Sequence, residues 1–588
     1  MNGSPARAQA LSVLRWTWPL LLVVAVFVTV GRIGFSPTDE GLIQAESWSL
    51  LHGAIPHVDI VSPRPLGSAY LHVIDILLPT PLVGTSRFLA LGEIAASTLL
   101  LACLAFRAGW PRWSVARCLL CATAILVNIH TFPVTAWHTI DGVFLVSSGF
   151  VLLALGLARR KALLVDGGMV ALGAAVLVKQ SFLPAIVIGL LWIALDARGS
   201  GAVPYRRLLR GLLASSVPGV LYLAVLGVGG GLGEARLQLS AGSDDLGIAL
   251  GHAFDKSADT ASVTLLVAGG ALVALTVLWR TGRRTSVGVD GRHAVLDVAL
   301  RIVVTGCVVG VIVGPRLELA GTWGIELLFL LLLVVVARWV AGHGLDGIAL
   351  LTAAVAMMAM LSWGYPVPDL VAGSIALVIL DRTWRDAPSV RVSSRAALVA
   401  TNIAALAAFG LVAVVVRDER THNAYRQRRG VEPEVDLGTI DGDFDGITSN
   451  AGVARYLRQI RDCVKHHPAA RVAVLPDNAI VYPVFGLDNP FPSSWMYTRE
   501  VVGSTQPFID TARRLSSEGD YLVLFETVPA QSAAFVHIPR HVREGKSFWF
   551  YGDPLGEQIR DNLHGTPITC GSFVGVYSPP SVSNQGPA

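Results

Sequence analysis

Long apolar runs alternate with short polar segments from the start of the chain to about residue 416, and the pattern then changes. A run of about 20 apolar residues crosses a hydrocarbon core as a helix, and a helix pairs its own backbone groups in lipid. Such runs fall at roughly 12–31, 86–106, 114–130, 141–158, 162–178, 181–196, 211–230, 261–279, 295–313, 323–340, 345–362, 367–381 and 396–416. They predict about 13 transmembrane helices, of which the fifth, sixth and twelfth are short. The first run, Leu11 to Val30, lacks a small-residue cleavage site and is followed by an acidic pair, so it reads as a retained span rather than a signal peptide.

The basic residues between these runs test the order. Alternate loops carry Arg107, Arg112 and Arg117, then Arg159, Arg160 and Lys161, then Arg198, Arg206, Arg207 and Arg210. The series continues through Arg280, Arg283 and Arg284, then Arg338, then Arg382, Arg385, Arg391 and Arg395. The intervening loops hold few cations, chiefly Arg64, Lys179, Arg236 and Arg316. Lys and Arg in short loops favour the cytoplasm. The expected topology has a cytoplasmic N-terminus and an odd number of spans in the plasma (inner) membrane. Residues 417–588 then lie outside the cytoplasm.

That C-terminal segment has a different texture. A charged helical stretch, Ala451 to His466, precedes an apolar strand candidate, Arg471 to Leu475; a second pair follows at Pro507 to Ser517 and Tyr521 to Phe525. Helices alternating with apolar strands predict a small extracytoplasmic α/β domain. The Ser-, Pro- and Gly-rich end, Ser578 to Ala588, reads as disordered. The expected division is therefore a membrane domain over 1–416, with a long first outer loop at 35–85, and an outer domain over 417–588.

Composition sharpens this picture. Of 588 residues, 53% are hydrophobic and 15% charged, against about a quarter charged in soluble domains. The net charge of +4 comes from loop clusters that set topology, and nothing in it points to nucleic acid. Cys103, Cys118, Cys121 and Cys307 fall in predicted spans, where a thiol acts as a small apolar group. Cys463 and Cys570 fall in the outer region, where a disulfide between them could persist.

The first outer loop concentrates the polar chemistry. It opens Ser36-Pro37-Thr38-Asp39-Glu40-Gly41, continues through Leu51-His52-Gly53 and Ile55-Pro56-His57-Val58-Asp59, and reaches Pro63-Arg64-Pro65 before a second amphipathic stretch, Gly67 to Leu78. Asp39 and Glu40 fit two readings: caps of a following helix, or a general base or metal ligand at the membrane boundary. Arg64, fixed between prolines, suits phosphate. Lys179-Gln180 breaks the charge rule on the outer side, where a cation either snorkels to headgroups or meets a ligand. Trp137-His138-Thr139, Arg316 with Glu318, and Ser362-Trp363-Gly364-Tyr365 carry the same ambiguity. A nucleotide-binding glycine loop, an HExxH run and a nucleophile elbow are missing from the sequence.

The segment Asp39-Glu40-Gly41, the following Leu-His-Gly-x-Ile-Pro-x-x-Asp run and the many spans resemble the GT-C superfamily of membrane glycosyltransferases, in layout the protein mannosyltransferase and aminoarabinose transferase group. The resemblance implies an enzyme that takes a sugar from a polyprenyl-phosphate donor, with inversion at the anomeric carbon, and passes it to an envelope glycan, lipid or protein acceptor outside the cytoplasm. It casts Asp39 as general base and Glu40 as its support, or both as ligands of a divalent cation (Mg, Mn or Ca). Asp59, Arg64, His138, Lys179, Gln180 and Arg316 become candidates for binding donor or acceptor. Leu475-Pro476-Asp477-Asn478, Tyr482 and Leu487-Asp488-Asn489-Pro490 resemble the strand and Asn-Pro turn found near the active face of such transferases. A transporter or flippase of a lipid-linked or envelope precursor is the principal alternative, and a scaffold that displays the outer domain is a third. A transporter's ionisable residues lie near mid-span, whereas these sit at the ends of runs.

Overall fold

The computed structural model describes residues 5–130, 134–199, 204–241, 247, 251, 255, 263–282, 291–313, 323–361, 367–385, 395–422, 433–498, 501–527 and 553–580. Arg316 and Glu318, Ser362 to Tyr365, and the chain end from residue 581 lie outside these described residues. The protein is mostly helical, as the apolar runs predict. Nine described stretches are long and apolar enough to cross a membrane: Ser12–Gly31, Leu82–Phe106, His138–Arg159, Gln180–Gly199, Tyr205–Val228, Val263–Thr281, Val295–Val313, Trp323–Val340 and Val399–His422. The count of 13 is therefore not reached. Four predicted spans are shorter helices, Val115–His130, Ala162–Val178, Gly347–Met360 and Asp369–Arg385. At 1.5 Å per residue, 14 to 17 residues rise only about 21–26 Å, less than the roughly 30 Å hydrocarbon core.

The helices are numbered in chain order. α1 (Pro5–Val26) leads to the first loop, which holds α2 (Leu42–Leu51), α3 (Gly67–Leu71) and α4 (Val73–Leu77). The bundle continues with α5 (Leu82–Phe106), α6 (Val115–His130), α7 (His138–Arg159), α8 (Ala162–Val178), α9 (Leu183–Gly199) and α10 (Pro204–Val228). Residues 232–241 form α11. α12 (Val263–Gly282), α13 (Gly291–Val313), α14 (Trp323–Val340), α15 (Gly347–Met360), α16 (Asp369–Arg385) and α17 (Arg395–His422) follow. The largest apolar core threads α5, α6, α7, α14, α15 and α16, while α10, α12 and α17 each expose large aliphatic side chains. That exposure fits lipid as solvent, since a soluble surface seldom exposes so many large apolar side chains.

One arginine read as a topology marker and one inside a predicted span are buried rather than facing water. Arg382 is fully buried and pairs with Asp346 and Asp381, and it also donates to the Ala105 carbonyl at 3.1 Å. Arg301, also fully buried, pairs with Asp297 one helical turn away at 2.7 Å. Buried cations survive only when paired in this way.

The C-terminal segment forms a sheet region. Its main sheet has the order β3-β4-β6-β5, built from β3 (Arg471–Leu475), β4 (Tyr521–Glu526), β5 (Thr566–Cys570) and β6 (Phe573–Ser578). β3 and β4 are parallel, whereas β6 runs antiparallel to both β4 and β5. A small antiparallel pair, β1 (Val435–Asp436) and β2 (Thr448–Ser449), lies earlier. The helices are α18 (Ala451–His466), α19 (Val481–Phe485), α20 (Gln506–Glu518) and α21 (Pro554–Asp561). Alternation on the central strands sends Val472, Val474, Leu522 and Leu524 toward α18, and Ala473, Leu475, Val523 and Phe525 toward α20 and α21. Both faces are covered, which explains why β3 and β4 read as continuous apolar runs. Cys463 and Cys570 form a disulfide with Cα atoms 5.8 Å apart, tying α18 to β5.

This region sits on the first loop. Phe35, Leu42, Ala45, Leu82 and Val83 share one core with Leu437, Phe444, Leu457 and Ile480. Hydrogen bonds close the seam: Gly34 N to Thr448 O at 2.8 Å, Thr448 N to Arg32 O at 2.9 Å, and Trp48 Nε1 to Leu487 O at 3.2 Å. The first loop and the C-terminal region therefore share one face of the helix bundle.

Candidate functional site

The acidic motif is built into that seam. Glu40 is buried and held by Arg87, a buried residue one turn into α5. Arg87 donates to both Glu40 oxygens, at 2.7 and 2.9 Å, and to the carbonyls of Gly31 and Gly34 at 2.9 and 2.6 Å. The Ser36 amide donates to the same carboxylate at 3.0 Å. Burial pushes the Glu40 carboxyl up from its ordinary value, and the Arg87 charge offsets only part of that. Both Glu40 oxygens are thus engaged by Arg87, and one of them also by the Ser36 amide. Gly41 has φ +96° and its α-carbon faces the Ile480 backbone, so a methyl group there would lie 2.6 Å from Ile480 N. Asp39, immediately before these two fixed residues, is itself buried. The preceding Thr38 carbonyl accepts a hydrogen bond from Trp495 Nε1 at 2.9 Å.

A second group of predicted residues converges beside it. Lys179 breaks the chain between α8 and the next helical turn, with an extended backbone (φ −158°, ψ 127°). Its ammonium is buried and donates to Thr139 Oγ1, on the first turn of α7, at 3.1 Å. Burial, and then the charge of Arg64, pull the Lys179 pKa down to about 7. Gln180 Nε2 donates to Pro63 O at 2.9 Å, which pins the Pro63-Arg64-Pro65 turn to the start of the following helix. His138 is buried, its ring 4.7 Å from Trp137, and Arg64, Lys179 and His72 all bear on it electrostatically. His138 Nε2 finds no hydrogen-bond partner among the described residues. Trp137 lies 6.0 Å from Trp495, so aromatic contacts link this cationic cluster to the Asp39 segment.

Glu46 was not singled out by sequence reasoning. It sits on the second turn of α2, where burial raises its carboxyl to about 7 and the Arg64 charge works the other way. Its signal was present, since it is the one charged residue in the segment Leu42–Leu51 that forms α2. Asp59 takes the local role: it is exposed and accepts from the Ile55 amide at 2.7 Å, closing a tight turn. The neighbouring His57 is locked with φ +63° by Tyr222 OH at 2.8 Å and Gln238 Oε1 at 2.9 Å. Burial lowers the His57 pKa, and the Gln238 contact partly offsets this.

Arg64, Glu46, His138, Thr139 and Lys179 thus gather at the bundle end that faces the C-terminal region. Two cations, an imidazole and a carboxylate poised near neutrality can bind an anion and move a proton. Lys179 and His138 are both buried, and an anion held beside a buried cation is attracted more strongly than in water. The chain matches no protein-family model and no curated protein.

Proposed function

We propose that the protein is a multi-pass plasma-membrane glycosyltransferase of GT-C type, with the C-terminal region outside the cytoplasm, that draws on a polyprenyl-phosphate-linked sugar. The observation that carries this reading is the convergence of Arg64, Lys179 and His138 from three separate chain segments at one end of the bundle. That end is where the phosphate of a membrane-embedded lipid would lie, with the prenyl tail among the helices. The cations neutralise the phosphate as the leaving group departs, and water exclusion strengthens that interaction. Asp39 accepts the proton of the acceptor hydroxyl, which attacks the anomeric carbon with inversion. Glu40, held by Arg87, keeps Asp39 in place. The disulfide supports an oxidising compartment for the C-terminal region, and the covering sheet region supplies a place for the acceptor.

The test compares envelope glycans and lipid-linked sugars in cells carrying wild type or Asp39→Asn. The variant inserts normally, loses transfer and accumulates donor. Unchanged glycans and donor pools remove Asp39 as base. Lys179→Met and Arg64→Ala separate the readings further. A transferase without its phosphate cluster shows weakened donor binding, whereas a scaffold retains its envelope phenotype.

A further inference from the structure

Behind His138 lies a second cluster that the transfer chemistry above does not use. His72, at the junction of α3 and α4, is buried with Nδ1 3.0 Å from Asp75 Oδ2 and Nε2 3.2 Å from Asp141 Oδ1. Glu93, about three turns into α5, completes it: single ligand atoms of His72, Glu93 and Asp141 all lie within 4.8 Å of one another. Asp75 and Asp141 are 1% and 0% exposed. Asp75 Oδ1, Glu93 Oε2 and Asp141 Oδ2 are buried with no hydrogen-bond partner among the described residues. Three carboxylates around one imidazole leave excess negative charge in a dry site, and a protein compensates such charge with a cation or a proton.

We infer that His72 Nε2, Glu93 and Asp141 bind a divalent first-row transition metal, with Asp75 orienting the imidazole from behind. The geometry is that of a carboxylate–histidine–metal relay, in which the ring nitrogen opposite the metal donates to a carboxylate. The 3.2 Å between His72 Nε2 and Asp141 Oδ1 matches adjacent ligands on a cation with bonds of about 2.1 Å. One imidazole among carboxylates suits Mn²⁺ or Zn²⁺ better than Ca²⁺ or Mg²⁺, which prefer all-oxygen sites. Ligands must give up their protons to a metal, so binding there would be coupled to proton release. The other His/Cys group, Cys463, His467 and Cys570, is excluded because its thiols form the disulfide. The site stands whether or not the chain transfers sugars.

The full-length chain in detergent micelles, stripped with EDTA, is titrated with MnCl₂ while the free Mn²⁺ EPR signal is followed. One saturable Mn²⁺ per chain is expected, displaced by ZnCl₂. Asp141→Asn and Glu93→Gln each weaken it at least tenfold while the chain still elutes as a single folded species. Pulsed EPR of the bound wild-type ion shows coupling to one imidazole ¹⁴N, lost in His72→Gln; this measurement decides the matter if the acidic variants misfold. No saturable binding of either metal overturns the inference. So does bound Mn²⁺ without nitrogen coupling, or binding indifferent to all three substitutions.

Discussion

Gly41 offers the sharpest test of how the acidic motif is positioned. Its φ of +96° lies in the left-handed region, which costs an L-residue about 1–2 kcal/mol. A methyl group would also meet the Ile480 backbone, 2.6 Å from its nitrogen and closer to its α-carbon. Backbone cannot rotate away as a side chain can, so overpacking adds about 1–3 kcal/mol. Gly53 is the internal control. It has φ +89° in the same loop, and no heavy atom of the described residues lies within 4 Å of an added methyl. Gly53→Ala therefore meets only the conformational cost, at a site away from the seam. Gly41→Ala meets both, for a total of about 2–5 kcal/mol. Hydrogen–deuterium exchange of the purified protein, read on peptides over 35–46 and 474–486, measures the opening of the seam. The excess of about 1–3 kcal/mol in Gly41→Ala accelerates exchange there about 5- to 150-fold, and Ile480→Ala does not restore it. Equal exchange at the seam in Gly41→Ala and Gly53→Ala would refute the contact as the reason for glycine.

Arg87→Met strands the buried Glu40 carboxylate and costs about 3–5 kcal/mol. Adding Glu40→Gln recovers part of that, and an Arg87→Met protein with an unchanged thermal midpoint would show that the pair is not holding the motif. Lys179 is charged below about pH 7 and neutral above it. A polyprenyl phosphodiester, which has no titration of its own in that range, therefore binds more weakly as pH rises from 6 to 8. Lys179→Met binds less and without the slope, and a flat wild-type profile would contradict the assignment. Because an unfolded lysine titrates near 10.4, the unfolded chain holds the extra proton between about 7 and 10.4. Folding stability attributable to Lys179 thus rises with pH across that window. Cys463→Ser opens a covalent loop with a sequence separation of 107 and removes about 2–4 kcal/mol from the C-terminal region. Limited proteolysis with and without reductant measures it, and identical cleavage would count against a structural disulfide.

What the sequence revealed of the fold follows from burial. β3 and β4 were legible because both faces are covered, so Arg471–Leu475 and Tyr521–Glu526 are apolar throughout. β5 and β6 were not, because Pro567 and Gly575 interrupt them. β5 lies at the sheet edge, where proline removes no needed donor. The short helices over 115–130, 162–178, 347–360 and 369–385 read as spans because hydropathy reports an apolar surrounding, whether lipid or the bundle interior. α16 illustrates the difference, since nearly its whole length is buried among its neighbours.

The candidate site was legible in its residue types and not in its pairings. Asp39 and Glu40 are neighbours in sequence, yet the structure gives them different surroundings, because Arg87 reaches Glu40 from 47 residues away. Nothing in a single sequence links those two, since an arginine at the start of an apolar run is also what headgroup snorkelling would place there. Lys179 was visible as an exception to the charge rule, and the exception has a physical cause. A cation held at a break between helices, bonded to Thr139 and pressed by Arg64, is kept there by a local task rather than by topology. Glu93 and Asp141 broke a second rule, that of carboxylates inside apolar helices, where ionisable groups mark function or a partner. That signal was in the sequence. Its meaning required His72, which joins them only once α3 and α4 fold back over the ends of α5 and α7.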